Sequence, residues 1–251
     1  MHALVRRPGP RLADGLVTHV ERQPVDVDLA VRQWERHRDV LQEHGWITSE
    51  VAPIDECPDA VFVEDTVVIF DDLAVVTRPG APERADETAA IPDALAGHDL
   101  EVVRLSTGTL DGGDVLKVGR DVYVGVGART SAPAVAELAV TLAPRGWTVR
   151  PVPVRRVLHL KSAVTALPDG RLIGYEPVVD DPSAFPELVA VPEPDGAHVV
   201  LLGGDRLLMS ATAPRTAEMF AEMGYRPVPV ELTEFEKLEG CVTCLSVRIR
   251  R

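Results

Sequence analysis

Four times along this chain an apolar run meets a tight polar turn and a second apolar run follows. The stretches are TVVIFDDLAVVTRPG (66–80), DVLKVGRDVYVGVGART (114–130), SAVTALPDGRLIGY (162–175) and HVVLLGGDRLLMSA (198–211). Their centres are turn formers: Asp-Asp, Gly-Arg-Asp, Pro-Asp-Gly and Gly-Gly-Asp. The flanks are rich in Val, Ile and Leu, so each stretch predicts a β-hairpin. The tail CLSVRIRR and the start HALVRRP offer a fifth pair, drawn from opposite chain ends. Helical patterns lie between the hairpins. In DVDLAVRQWERHRDVLQEHG (26–45), Leu29, Trp34, Val40 and Leu41 stand among charges, with an Asp cap before them and Gly45 after. SAPAVAELAVTLAPRG (131–146) and APRTAEMFAEMG (213–224) also end in Gly. Each helix leads into a short strand: ITSEV, WTVRPVPV or YRPVPVEL. The unit is hairpin, helix, strand. The second and third turns follow their predecessors by about 49 residues, a period typical of propeller-like or stacked repeats. No linker interrupts the pattern, so residues 1–251 are expected to form one closed domain of about five units. The Pro- and acid-rich segment 176–196 is expected to be a loop in place of a helix.

Composition narrows the partners. With 45% hydrophobic and 26% charged residues the chain has a globular balance. Its net charge of −13 disfavours nucleic acid and anionic membranes and suits a cationic small molecule. No apolar run reaches the roughly 18 residues of a membrane span, and MHALVRRPGP lacks a leader's apolar stretch. Three cysteines do not make a disulfide framework. A cytoplasmic protein, monomer or homodimer, is expected.

Three placements of polar residues resist a purely structural account. Glu64 and Asp65 interrupt the apolar run CPDAVFVEDTVVIF (57–70). On a strand, neighbours point to opposite faces, so at least one carboxylate should point inward and need a cation, unless the pair ends a strand in water. Gly112-Gly113, in LDGGDVLKVG (110–119), removes side chains where a backbone or ligand comes close, although a turn before a strand would look the same. His159 sits between Leu158 and Leu160, a setting more common for a core histidine than a catalyst. A cysteine elsewhere alters that balance, because histidine is the usual activator of a thiol.

Cys241 and Cys244 stand three apart in EKLEGCVTCLSVRIRR (236–251). A redox dithiol would open a helix, yet LSVRIRR reads as a strand; a zinc site would need further Cys or His ligands at matching spacing. A single nucleophile assisted by His159 and an acid remains, with Cys57 and Cys241 as bystanders.

The stretches HALVR, PDAVFVEDT, TRPGAP, LDGGDVL, ART, LHLKS and CVTCLSV, in this order, resemble the dimethylarginine dimethylaminohydrolase family of the guanidine-modifying (pentein) superfamily. The resemblance spans His2 to Val247. It implies an α/β fold, a five-bladed propeller of ββαβ units around a central polar site. It implies Cys244 as nucleophile, His159 as general acid/base and Asp111 as the acid holding the histidine. Glu64 and Asp65 would flank the guanidinium, and Asp59 would contact the amino end of the substrate. Arg78 and Arg129 would grip the α-carboxylate, and the backbone carbonyl of Leu238 would meet the α-amine. The lid position falls near Val17, in RPGPRLADGLVTH, which departs from the family. The implied reaction hydrolyses Nω-methylated arginine to citrulline and an alkylamine through a covalent cysteine adduct, with no metal or organic cofactor. Unmethylated or otherwise substituted guanidines, a binding protein without turnover, and a dithiol oxidoreductase are the competing readings.

Overall fold

Hairpin chemistry organises the computed structural model, which describes residues 1–250. Near the start, β1 (His2–Val5) leads through α1 (Val27–Glu43) to β2 (Ile47–Glu50), which pairs parallel to β1. Asp26 caps α1 as expected, its side chain accepting the N–H of Leu29 at 2.9 Å. The second unit is the antiparallel pair β3 (Val67–Phe70) and β4 (Leu73–Val76), a crossover containing the short α2 (Ile91–Ala94), and β5 (Glu101–Arg104) parallel to β4. Its turn takes Asp71 through a left-handed backbone (φ 50°), which aspartate tolerates. The third unit repeats this with β6 (Val115–Val118), β7 (Asp121–Val126), α3 (Ala132–Leu142) and β8 (Thr148–Pro153). The fourth has β9 (Val164–Ala166), β10 (Leu172–Gly174) and β11 (Leu188–Ala190). Its crossover holds two 3₁₀ turns, Glu176–Val178 and Pro182–Ala184, where prolines deny a longer helix its donors. The fifth unit is β12 (Val200–Gly203), β13 (Arg206–Ser210), α4 (Pro214–Glu222) and β14 (Arg226–Val230). After α5 (Thr233–Glu236), β15 (Val247–Ile249) returns to pair antiparallel with β1, completing the first sheet from the far end of the chain.

Five three-stranded sheets of one design result, each with its hairpin's second strand in the middle. Five apolar cores lie between successive blades. One packs Leu4, Val247 and Ile249 against Val67, Ile69 and Ile91. The next packs Phe70, Leu73 and Val75 against Val122, Val124 and Leu138. The third joins Leu116 and Tyr123 to Val164 and Leu172, and the fourth joins Ile173 to Leu207, Met209 and Phe220. The fifth, with Trp34 and Trp46, packs Ala3 and Val5 against Leu202, Leu208 and Val230. The two inner strands of each blade are thus packed between its neighbours, while outer strands such as β2 and β5 stay largely exposed. The architecture is the expected five-bladed α/β propeller.

Two local expectations change. Glu64 and Asp65 lie in a 3₁₀ turn, Val63–Thr66, and not in a strand; both are buried, where at least one is expected to be. Cys241 and Cys244 lie in a turn closed by the Cys244 N–H on the Cys241 carbonyl at 3.1 Å; the strand begins only at Val247.

Candidate active site

The first strand of each hairpin, β3, β6, β9 or β12, together with β15, faces the axis of the ring. The turn leading into each inner strand delivers polar side chains to that axis. Before β3 come Glu64 and Asp65, before β6 Asp111 and Asp114, before β9 His159 and Lys161, and before β15 Cys244. These residues therefore occupy equivalent places in a repeated unit, far apart in sequence and adjacent in space.

Gly112-Gly113 permits that adjacency. A Cβ on Gly112 would stand 2.1 Å from the Glu64 carbonyl oxygen, and one on Gly113 would stand 2.6 Å from His159 Nδ1. The Gly113 N–H instead donates to Asp65 Oδ1 at 2.8 Å. Asp111 and Asp114 then hold the neighbouring turns. Asp111 accepts the Gly80 N–H at 2.7 Å, and Asp114 accepts the Leu160 N–H at 2.9 Å and the Thr130 hydroxyl at 2.6 Å. TRPG, LDGGD, ART and LHL are thus parts of one hydrogen-bonded unit. Gly113→Ala is expected to cost about 2 kcal/mol of stability, seen as a lower thermal midpoint. It should also bring the His159 imidazole titration down towards its ordinary range, measurable by NMR.

His159 is 3% exposed, with Nε2 at 3.0 Å from Asp111 Oδ2 and Nδ1 at 3.9 Å from Asp65 Oδ1. Burial alone would strip its proton, but Asp65, the Asp111 hydrogen bond and Asp114 outweigh it and raise its pKa to about 9. Asp111, although buried, is held below the usual carboxylate range by the same bond to His159. Asp65, Asp111 and His159 also place ligand-type atoms within 4.8 Å of one another. Protonated His159 and the Arg84 guanidinium, 2.6 Å from Asp65, already supply positive charge there, so this trio forms an ion-pair network and not an open metal cage.

Cys244 shares a cavity with Asp59, Asp65, His159, Arg84 and Arg129. Its Sγ lies 3.4 Å from that of Cys241. That contact, burial and the charges of Glu64 and Asp65 keep the Cys244 thiol well above its ordinary pKa. A cation entering beside it would reverse the sign of the local field and favour the thiolate. The Asp59 carboxylate accepts the Leu16 N–H, and burial raises its pKa above the ordinary value. Leu238 lines the same space. Arg129 extends Nη1 to 3.5 Å from Asp111 Oδ2.

Three expected positions are corrected. Arg78 is exposed and spends its guanidinium on the Ser106 carbonyl at 2.5 Å; it borders a separate cavity with Arg104. The second arginine of the site is Arg84, held by Asp65 and Glu87. It stands in the run PERADET (82–88), whose charge reads as a solvated face, so the sequence carried no signal of its burial. Glu64 turns away from the cavity: it is bonded by Lys161 at 2.6 Å, Arg248 at 2.5 Å and the Thr243 hydroxyl at 2.8 Å. Its backbone N–H still supports the Cys244 carbonyl at 3.1 Å. At the lid, Leu16 lines the cavity, whereas Val17 packs against the core between the first and fifth blades. The adjoining lid backbone is fastened by Glu239, which accepts the N–H groups of Thr18 and His19.

A buried thiol, a charged imidazole and paired carboxylates on the axis of a five-bladed ring define a cysteine-dependent amidine hydrolase. Comparison with known proteins agrees. Residues 13–176 match the arginine deiminase family. The chain is 59% identical over 249 residues to an N(G),N(G)-dimethylarginine dimethylaminohydrolase of Streptomyces coelicolor, covering 99% of this chain and 96% of that one. A dimethylarginine dimethylaminohydrolase structure, a histidine-to-glycine variant in adduct with S-methyl-L-thiocitrulline, superposes with a TM-score of 0.91 at 30% identity, covering 99% of both chains. The Pseudomonas aeruginosa enzyme, a cysteine-to-serine variant with citrulline, gives 0.90 at 32% identity, covering 99% of this chain and 98% of that one. The chain belongs to the dimethylarginine dimethylaminohydrolase family.

Proposed function

We propose that residues 1–251 act as one catalytic unit that hydrolyses asymmetric dimethylarginine and monomethylarginine to L-citrulline and dimethylamine or methylamine. The observation that carries this reading is one cavity lined by Cys244, His159 and Asp65 together with Arg84 and Arg129. The substrate guanidinium keeps its proton at any physiological pH. Asp65, with Asp111 behind the imidazole, offsets its desolvation. Arg129 supplies a forked donor for the α-carboxylate beside the one Arg84 N–H not given to Asp65, Glu87 and the Asp59 and Phe62 carbonyls, while Asp59 and Leu238 serve the amino end.

Binding of this cation lowers the Cys244 thiol pKa, and the thiolate attacks the guanidino carbon to give a tetrahedral adduct. His159 gives its proton to the departing dimethylamine, which could not leave as an anion, and an S-alkylthiouronium remains on Cys244. Neutral His159 then takes a proton from water. The hydroxide adds to the same carbon, and collapse expels the thiolate, leaving citrulline. Three free thiols and the absence of a membrane-crossing helix among the described residues support a reducing, cytoplasmic setting.

Incubation with a panel of arginine and its methylated forms tests the reading. Citrulline and dimethylamine should appear in equal amounts from the asymmetric dimethyl form. Release of ammonia from unmodified arginine as the dominant reaction would move the chain to the deiminase side of its family.

A further inference from the structure

The far side of the ring holds a cluster that this chemistry leaves unused. Beyond Glu64, where the inner strands run on, two adjoining cavities of about 60 and 100 Å³ open along the axis. Lys117, Lys161, Arg248 and Arg250 border both, and Glu64 is the carboxylate that borders the first. Glu64 is already shared by Lys161 and Arg248. Lys117 and Arg250 have no carboxylate within ion-pair distance among the described residues. Lys117 donates to the Ile69 carbonyl and stands 5.3 Å from the Phe70 ring centre. Arg250, exposed at the rim, donates to the Leu201 carbonyl at 3.1 Å and stands 5.4 Å from the Trp46 ring centre.

In a chain of net charge −13, four cations thus converge on a space containing one carboxylate. Such convergence in a partly dry cavity is unfavourable unless an anion offsets it. Burial, then Arg250, Lys161 and Arg248, draw the Lys117 ammonium down to about 7, with Asp71 opposing them. We infer that these cavities form a binding site for one small inorganic oxyanion of orthophosphate size, held chiefly by Lys117 and Arg250. The donors fit: an ammonium has three N–H groups and Lys117 uses one on Ile69, while a guanidinium has five. The two cavities offer room for an ion of a few heavy atoms. A guanidino amino acid would bring its own cation against the four present, so the site does not duplicate the substrate cavity.

Calorimetric titration of inorganic phosphate into the full chain tests this, with Lys117→Met and Arg250→Gln alongside; the second alters an exposed side chain, so it leaves folding out of the question. The expected result is a saturable one-to-one isotherm for the unaltered chain. Its dissociation constant should rise roughly tenfold or more in each variant. Both variants should keep the phosphate-free rate of citrulline formation, since neither residue borders the Cys244 cavity. Absence of a phosphate isotherm in the unaltered chain, or one unchanged in both variants, would overturn the assignment and leave the four cations a structural role.

Discussion

Replacing Cys244 by serine is expected to lower citrulline formation roughly ten-thousand-fold or more, while Cys241→Ala keeps turnover within about tenfold of the unaltered rate. The two sulfurs are 3.4 Å apart and both are buried, so proximity does not separate their roles. Placement does. Both cysteines pack into the apolar core between the first and fifth blades, but only Cys244 also borders the cavity that holds His159 and Arg129, whereas Cys241 contacts the Thr243 hydroxyl at 3.3 Å. An oxygen nucleophile is a poor substitute here, because a serine hydroxyl would not ionise in response to a bound guanidinium as a thiol does. Steady-state citrulline assays on both variants, with mass spectrometry of intact protein quenched during turnover, check the assignment. The covalent thiouronium should appear on Cys241→Ala protein and be missing from Cys244→Ser. Activity lost in the first variant and kept in the second would hand the nucleophile's role to Cys241.

His159→Asn should cost roughly a hundred- to ten-thousand-fold in kcat, the range associated with a general acid and base. Asparagine can still bond to Asp111, so the loss would report the missing proton. A pH series sharpens the test. The imidazole is raised from its ordinary 6.5 to about 9 in the folded protein. A raised pKa means the charged form is favoured by folding, so its stabilising contribution is complete below about 6.5 and is lost as pH climbs through about 9. Thermal midpoints of the unaltered chain should therefore fall across that interval relative to those of the variant. The alkaline limb of kcat/KM near 9 should disappear with the imidazole. Parallel stability curves for the two proteins would mean that His159 is not held as the cation.

Much of this ring was legible in the residues. Hairpin turns such as Asp71-Asp72 and Gly119-Arg120, flanked by β-branched runs, gave the inner strands, and the Asp26 cap gave the longest helix. The Pro-rich segment 176–196 announced a crossover without a long helix but hid β11, which the loop reading missed. The pairing of β15 with β1 followed from two apolar ends that lacked partners nearer in sequence. What failed was the facing of single residues in irregular turns. Strand alternation cannot say which of Glu64 and Asp65 meets the cavity, because a 3₁₀ turn rotates successive side chains by about 120°. The same limit explains Leu16 in place of Val17. Arg78 and Arg84 differ in another way. Arg78 stands within the recognisable TRPG stretch yet points outwards, and Arg84 is drawn inwards by Asp65 and Glu87, ion pairs that only folding assembles.

Because β15 both completes the first sheet and carries the reactive sulfur in beside it, chemistry and ring closure share a single event. On the proposed assignment, every acid meant for the guanidinium is synthesised long before the attacking atom. A partly made chain short of Cys244 is then expected to be mute, with competence gained when the circle is fastened.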